Sequence, residues 1–397
     1  MKFTTYALIY LALLFITTGC THSNCNTTTP AFAAPTPLTP MADSVFAPTL
    51  TIKQKALANA IDTFYTKAYH RGAYNGCVLV AQGNTILYCN ALGVANKAQN
   101  IALTTNTAFE LASVSKQFTA IAILKLYEQG KLNLGDSVTK YIPNFPYRGV
   151  LLLDLLNHRS GLPNYTNFCT DYVKAKDTML SNLAVVKLMC TNKPAPQGKP
   201  NGRFTYCNTN YVVLAHIVQL VSGLEFPMYM QQQIFAPIGM NKSYIKNKRN
   251  AFAPNEAVGY NTRFTIYGVD MYDGCYGDKG VFSTVQDMYL WDNMLRGNTF
   301  LKQTTLQKAF TPYSFERNGK RNYGLGFRMT LNDQKTPELI YHNGWWHGYR
   351  TLFYKNLPND IMIVSLQNTT GKFVYNIKPI VELLSEGKNN AQQEMDE

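Results

Sequence analysis

Ser113 and Lys116 stand three residues apart in Leu111-Ala112-Ser113-Val114-Ser115-Lys116. That spacing is close to one helical turn, so both side chains share a face. A serine hydroxyl is a weak nucleophile near neutral pH and needs a base within hydrogen-bond reach. A lysine serves as that base where burial and the positive end of a helix disfavour its charged form. The residues that follow, Gln117-Phe118-Thr119-Ala120-Ile121-Ala122-Ile123-Leu124, are mostly apolar, which predicts a buried helix with Ser113 at its first turn. The spacing alone decides little. S-x-x-K recurs at Ser137/Lys140, Ser243/Lys246 and Ser385/Lys388, in polar or terminal surroundings that open no buried helix.

Two further groups could complete such a site. Tyr206-Cys207-Asn208 stands 90 residues beyond Lys116 and precedes an apolar stretch, Val212–Leu220. A tyrosine hydroxyl beside a lysine can relay a proton to a leaving group, and the adjacent amide can hold a substrate carbonyl. The third group is Tyr341-His342-Asn343-Gly344-Trp345. His342 can donate a hydrogen bond or carry charge near neutral pH, and Gly344 admits close approach to the backbone. Y-x-N also occurs at Tyr88, Tyr165, Tyr341 and Tyr354, and H-x-G at His70, so each motif is weak when taken singly.

These groups need a scaffold that brings three distant segments together. A hairpin is predicted over 77–90, from Val78–Ala81, a turn at Gln82-Gly83-Asn84, and Ile86–Tyr88. Patterns from about 105 to 310 are mostly helical, broken by Gly, Pro and Asn. Strand signals return at Leu339–His342, Thr351–Tyr354 and Ile361–Leu366, followed by a helix near Val374–Leu384. Two early and three late strands are best satisfied by one shared sheet. The expected fold class is α/β of the α+β type: a five-stranded antiparallel sheet flanked by the terminal helices, with a second, mostly helical lobe. The cleft between the lobes is the expected site.

Composition narrows the function. Apolar residues make up 46% of the 397, enough for a sizeable core, and charged residues only 15%, which argues against coiled coils. The formal net charge is +13, with basic residues gathered at Lys242, Lys246, Lys248, Arg249 and at Arg317, Lys320, Arg321. No basic stripe on a recognition module accompanies them, so no nucleic-acid partner is expected. The balance suits anionic lipid or acidic wall polymer. The sequence lacks C-x-x-C, and His70, His158, His216, His342 and His347 show no metal-ligand spacing, which argues against a zinc hydrolase. G-x-S-x-G, the elbow of the usual esterase fold, does not occur.

The N-terminus reads as an address. Lys2 is followed by an apolar run from Phe3 to Ile16 and then Thr17-Thr18-Gly19-Cys20. Residues 1–19 read as an export signal, with Cys20 as the lipidated first residue of the mature chain; Thr17 stands where that pattern prefers leucine. Residues 20–50, rich in Thr, Pro and Ala, read as an extended spacer, 51–386 as the folded domain and 387–397 as a polar tail. Counting outward from Gly83 sets Cys77 opposite Cys89, which allows a cross-strand disulfide, and Cys169 with Cys190 is a second pairing. The expected location is the cell envelope or periplasm, with a membrane anchor through lipid.

The order of the three groups, S-x-x-K, then Y-x-N, then H-x-G on a late strand, resembles the serine β-lactamase-related family. That family spans class C β-lactamases, DD-peptidases and related esterases. Connecting segments resemble it too: Leu155-Leu156-Asn157-His158-Arg159-Ser160-Gly161-Leu162-Pro163, Phe235-Ala236-Pro237-Ile238-Gly239-Met240 and Tyr323-Gly324-Leu325-Gly326. The resemblance covers roughly residues 51–385. It implies that Ser113 forms an acyl-enzyme, that Lys116 and Tyr206 act as base and acid, and that Asn208 binds the substrate amide. It also implies an oxyanion hole from the N–H groups of Ser113 and Trp345, with His342 and Gly344 along the strand edge where substrate adds. No cofactor is implied. His-Asn-Gly stands where efficient class C β-lactamases carry Lys-Thr-Gly, which moves the expected substrate from β-lactams toward D-amino-acid peptides or esters. Cys207 stands where serine is common and brings a thiol near the cleft. The rival readings are a carboxylesterase or amidase, a weak β-lactamase, and a non-catalytic penicillin-sensing or envelope-binding protein.

Overall fold

The computed structural model describes residues 46, 48–174, 179–246, 253, 255–316 and 319–385. The export signal, Cys20, nearly all of the spacer and the polar tail lie outside these residues.

The first helix, α1 (Ile52–His70), begins at Thr51, whose hydroxyl accepts from Gln54 N at 3.2 Å while the Gln54 side chain accepts from Thr51 N. This reciprocal cap satisfies donors that the first turn leaves open. The hairpin β1 (Gly76–Gln82) and β2 (Thr85–Leu92) follows, then a small ribbon of β3 (Val94–Asn96) and β4 (Ile101–Ala102). A three-stranded patch, with β7 (Val281–Ser283) between β5 (Phe109–Glu110) and β6 (Tyr244–Ile245), closes just ahead of the segment that carries Ser113. The mostly helical lobe holds α2 (Ser115–Glu128), α3 (Leu152–Leu156), α4 (Tyr165–Tyr172), α5 (Asn182–Asn192), α6 (Thr209–Ser222) and α7 (Phe226–Met230). After it come α8 (Val285–Arg296), α9 (Gln303–Ala309) and the strands β8 (Arg321–Tyr323), β9 (Arg328–Leu331), β10 (Pro337–Trp346), β11 (Tyr349–Asn356) and β12 (Ile361–Gln367).

The large sheet runs β2-β1-β12-β11-β10-β9-β8 and is antiparallel throughout. The early hairpin does join the late strands, but the sheet has seven strands, not five. β8 and β9 extend the edge beside β10. They are three and four residues long, too short to show a period-2 pattern in the sequence.

One face of the sheet carries α1 and the helical residues 378–385, through a core that includes Ile61, Tyr65, Val78, Val80, Ile363 and Leu384. Alternation turns Leu79, Ala81, Met362 and Lys355 to the opposite face, where α8 packs. Trp291 of α8 stacks on Phe118 of α2 with ring centroids 4.0 Å apart, joining the sheet to the helical lobe.

The expected Cys77–Cys89 bridge is overturned. The turn has two residues, Gly83 and Asn84, and a bulge between Val80 and Ala81 shifts the ladder once more. Cys77 therefore faces Ala91, and Cys89 faces Leu79. Both thiols are free, as are Cys169 and Cys190. Burial pushes the Cys77 thiol up well beyond its usual range and Cys89 up to about 12.

Candidate active site

Ser113 lies in a single 3₁₀ turn, Ala112–Val114, that runs straight into α2. Ala112 takes a left-handed conformation, φ +50°, which costs an L-residue on the order of 1–2 kcal/mol. Neighbours hold it there. Leu111 N donates to Val281 O at 2.8 Å, and Thr351 Oγ1 donates to Leu111 O at 2.7 Å. Gly344 of β10 completes the clamp. A Cβ at that position would lie 2.0 Å from Thr351 Oγ1 and 2.3 Å from Leu111 O, so only glycine lets the strand meet the turn.

Lys116 is fully buried one helical turn on. Its Nζ donates to Ser113 Oγ at 3.1 Å and to Asp278 O at 2.8 Å. The carbonyl is placed by a row of hydrogen bonds between residues 277–281 and residues of β5 and the start of α2. Thr119 Oγ1 donates to Gly277 O at 2.8 Å, Gly280 N to Glu110 Oε1 at 2.7 Å, and Val281 N to Ser115 Oγ at 3.1 Å. Gly277, at φ +99°, sits where a Cβ would be 2.4 Å from Tyr211 O. The carboxylate of Asp278 points elsewhere, accepting from Tyr165 OH at 3.0 Å and pairing with Lys279 at 3.5 Å.

Tyr206 comes from the loop before α6, with its ring centroid 5.0 Å from Lys116 Nζ. The loop is gripped by His158, a residue sequence reasoning noted only inside a connecting segment. Thr205 N donates to His158 O at 2.9 Å and Cys207 N donates to His158 Nδ1 at 3.2 Å, so the amides on both sides of Tyr206 are held by one residue. Ser160 Oγ fixes Asn210 at 2.6 Å, and Asn210 meets His158 Nδ1 at 3.2 Å. Burial, with Lys116 and Arg328 nearby, holds the His158 imidazole well below its ordinary range and so neutral. Nδ1 accepts, which leaves the proton on Nε2.

Ser113, Tyr206, Asn208, Gly344 and Trp345 share the wall of one cleft of about 510 Å³, together with Asn343 and Arg328. Asn208 Oδ1 is buried without a hydrogen-bond partner among the described residues, as an amide reserved for a ligand would be. Trp345 is 60% exposed at the rim.

His342 departs from expectation. It is fully buried rather than on the strand edge, because alternation along β10 turns it inward and turns Asn343 and Trp345 out. Its Nε2 meets Tyr323 OH at 3.3 Å, and its ring stands behind Tyr206 at 6.3 Å. Burial, with Arg328 and Lys116 nearby, keeps it neutral. Cys207 likewise faces away, donating to Leu162 O at 3.4 Å, and burial raises its pKa, so it presents no thiolate to the cleft.

Two of the other S-x-x-K pairs resolve as structure, and Lys388 of the third lies outside the described residues. Ser137 caps a short turn, Ser243 bonds Asp287 at 2.7 Å, and Lys246 pairs with Glu256 at 2.6 Å. The fold also gathers Asp270, Asp273 and His347, whose ligating atoms lie within 4.8 Å of one another. These atoms are engaged already: Asp273 accepts from Trp346 Nε1 at 2.7 Å, from Asp270 N at 2.8 Å, and meets His347 Nε2 at 3.1 Å. Sequence spacing gave no sign of this cluster, because its members meet only through the turn after β10.

A family model described as Beta-lactamase matches residues 57–384. Penicillin-binding protein 4* of Bacillus subtilis is 31% identical over 329 residues, covering 78% of this chain and 71% of that protein. A Salmonella enteritidis protein provisionally named D-alanyl-D-alanine carboxypeptidase is 27% identical over 354 residues, covering 76% and 80%. The crystal structure of a penicillin-binding protein from Bacillus halodurans superposes with a TM-score of 0.72 at 25% identity, covering 80% of this chain and 98% of that one.

Proposed function

This chain belongs to the beta-lactamase family and is a serine acyl hydrolase, and on that footing we propose that it cleaves D-amino-acid peptides or esters through an acyl-enzyme on Ser113. The observation that carries the reading is the buried Lys116 Nζ, 3.1 Å from Ser113 Oγ at the floor of a cleft that Tyr206 also lines.

In this mechanism Ser113 Oγ bonds to the substrate carbonyl carbon as its proton passes to Lys116. The N–H groups of Ser113 and Trp345 hold the oxyanion, a device worth about 10²–10³ in rate per donor. The bond to the leaving nitrogen or oxygen then breaks, and that atom takes a proton through Tyr206. Water repeats the sequence: its oxygen bonds to the acyl carbon, its proton enters the Lys116–Tyr206 pair, and the acyl group leaves as Ser113 Oγ regains a proton. Asn208 holds the amide on the acyl side.

The substrate class draws support from two places. One relative carries a name for D-alanyl-D-alanine carboxypeptidase activity. The cleft wall also carries a permanent cation, supplied by Arg328 of β9 rather than by the neutral His342. Its guanidinium lies 5.0 Å from the Tyr206 ring centroid, suited to a carboxylate on the leaving residue. A fluorescent penicillin or activated ester should label the wild-type protein and not Ser113→Ala; labelling that survives the substitution moves the nucleophile elsewhere. The proposal extends to export and a lipid on Cys20, supported by Lys2, the apolar run after it and the small residues before the cysteine. Palmitate incorporation lost in Cys20→Ser checks it, and incorporation that persists refutes it.

A further inference from the structure

Beyond Tyr206 lies a second cavity, of about 620 Å³, that the mechanism leaves unused. It shares Tyr206 and Arg328 with the catalytic cleft and does not include Ser113. Tyr206 and Arg328 thus line both spaces.

We propose that this cavity is a subsite for an anionic oxygen group, carboxylate or phosphate, carried on the leaving half of the substrate. The inference rests on the reading of Tyr206 as the group that protonates the leaving atom. The leaving half then departs on the Tyr206 side, and whatever it carries beyond its first residue meets the second cavity.

Three arginines line it: Arg203, Arg321 and Arg328. Among the described residues none of the three makes an ion pair, whereas Arg159 pairs with Glu316 and Arg296 with Asp292 and Asp360. The carboxylate of the lining, Glu316, is committed to Arg159 and to Phe204 N at 3.3 Å. Ser314 Oγ, on the same wall, is buried without a hydrogen-bond partner among the described residues. A half-buried guanidinium without a counter-ion, two more at the mouth and an idle hydroxyl make a donor set that fits planar or tetrahedral oxyanions. A chain of net charge +13 adds a long-range field of the same sign.

A leaving group of one residue ends at Arg328. An internal bond in a longer anionic molecule fills both spaces.

The test is binding of three leaving-segment peptides, Gly-Gly, Gly-Glu and Gly-phosphoserine amides, to the full-length protein by calorimetry. The two charged peptides should bind at least about tenfold more tightly than the neutral one, as charge-assisted hydrogen bonds allow. That preference should weaken in high salt and disappear in the Arg203→Ala/Arg321→Ala double variant. Both residues are exposed, so the variant folds. Lys320→Ala, whose ammonium pairs with Asp333 at 3.0 Å outside the cavity lining, should keep it. The comparison of Gly-Glu with Gly-phosphoserine assigns carboxylate or phosphate. Equal binding of all three peptides, or a preference that survives the double variant, overturns the subsite. Binding does not depend on turnover, so a preference for the charged peptides in a protein that neither penicillin nor an activated ester labels would sink the hydrolase mechanism and leave an anion-binding pocket with no leaving group to serve.

Discussion

Lys116 and Lys355 are both buried, 0% and 3% exposed, and the protein treats them in opposite ways. Lys355, between the sheet and α8, is given carboxylates: Asp292 at 3.1 Å, itself bonded to Arg296 at 3.0 Å, and Asp360. Lys116 is given a hydroxyl, a main-chain carbonyl and two tyrosine rings. Among the described residues no carboxylate pairs with it. The withholding is specific, since Asp278 bonds Lys116 through its carbonyl while its side chain serves Lys279 and Tyr165. A carboxylate fixes an ammonium and makes it a structural pin. A hydroxyl and a carbonyl leave the nitrogen free to exchange a proton with the serine beside it.

Exchanging the two lysines for methionine separates these roles. Lys116→Met should cost about 10²–10⁴ in acylation rate, read by penicillin labelling, with little change in unfolding midpoint. Lys355→Met should do the reverse. It leaves Asp292 short of a cation and should cost about 3 kcal/mol in urea unfolding, with unchanged labelling per folded molecule. If Lys355→Met slows acylation as much as Lys116→Met, the contrast is false.

Gly344→Ala sharpens the comparison from the backbone side. The added carbon collides with Thr351 Oγ1 and Leu111 O and must shift the Ala112–Val114 turn. Misplacing the nucleophile by about 1 Å should lower acylation roughly 10²-fold, while the Lys355 cluster, on another part of the sheet, stays intact. Retained rate would mean that the turn does not depend on β10.

Acid tests the surroundings of Lys116 through stability. His158 and His342 flank the Lys116 region and are held neutral, mainly by burial, well below the ordinary imidazole range. In the unfolded chain they titrate near 6.5, so below that pH the unfolded state binds more protons. Their contribution is complete above about pH 6.5 and falls by up to about 1.4 kcal/mol per pH unit for each histidine as the medium acidifies. Urea midpoints at pH 7, 6 and 5 should decline, with a shallower decline in His342→Gln. Equal slopes in the two proteins would show that His342 does not contribute.

The nucleophile region was legible because a buried helix announces itself: twelve consecutive residues from Ser115 to Leu126 are buried, and the apolar run says so. Tyr206 and Asn208 followed from their place before a second such helix. The other lysine contact was not legible, since the carbonyl of Asp278 is a main-chain atom that any residue would supply. His158 was visible as a residue but its two-sided grip on the Tyr206 loop was not, because it depends on a left-handed backbone, φ +61°, inside a short turn. The inward facing of His342 was readable in principle from the period of β10, had its ends been known. Arg328 lies on a strand of four residues with no pattern to expose it.

β1 lies in the sheet interior with β12 beside it, so that Tyr74 OH meets Ser365 Oγ across 291 residues of sequence. At about 5–20 residues per second, the early strand waits roughly 15–60 s of synthesis for its neighbour. A chain halted before residue 361 already holds Ser113, Lys116, Tyr206 and Gly344, yet its β1 edge stays open to any passing strand. The timing of assembly is therefore set by the synthesis of β12, and a truncation ahead of it removes the activity by leaving the first strand without its partner.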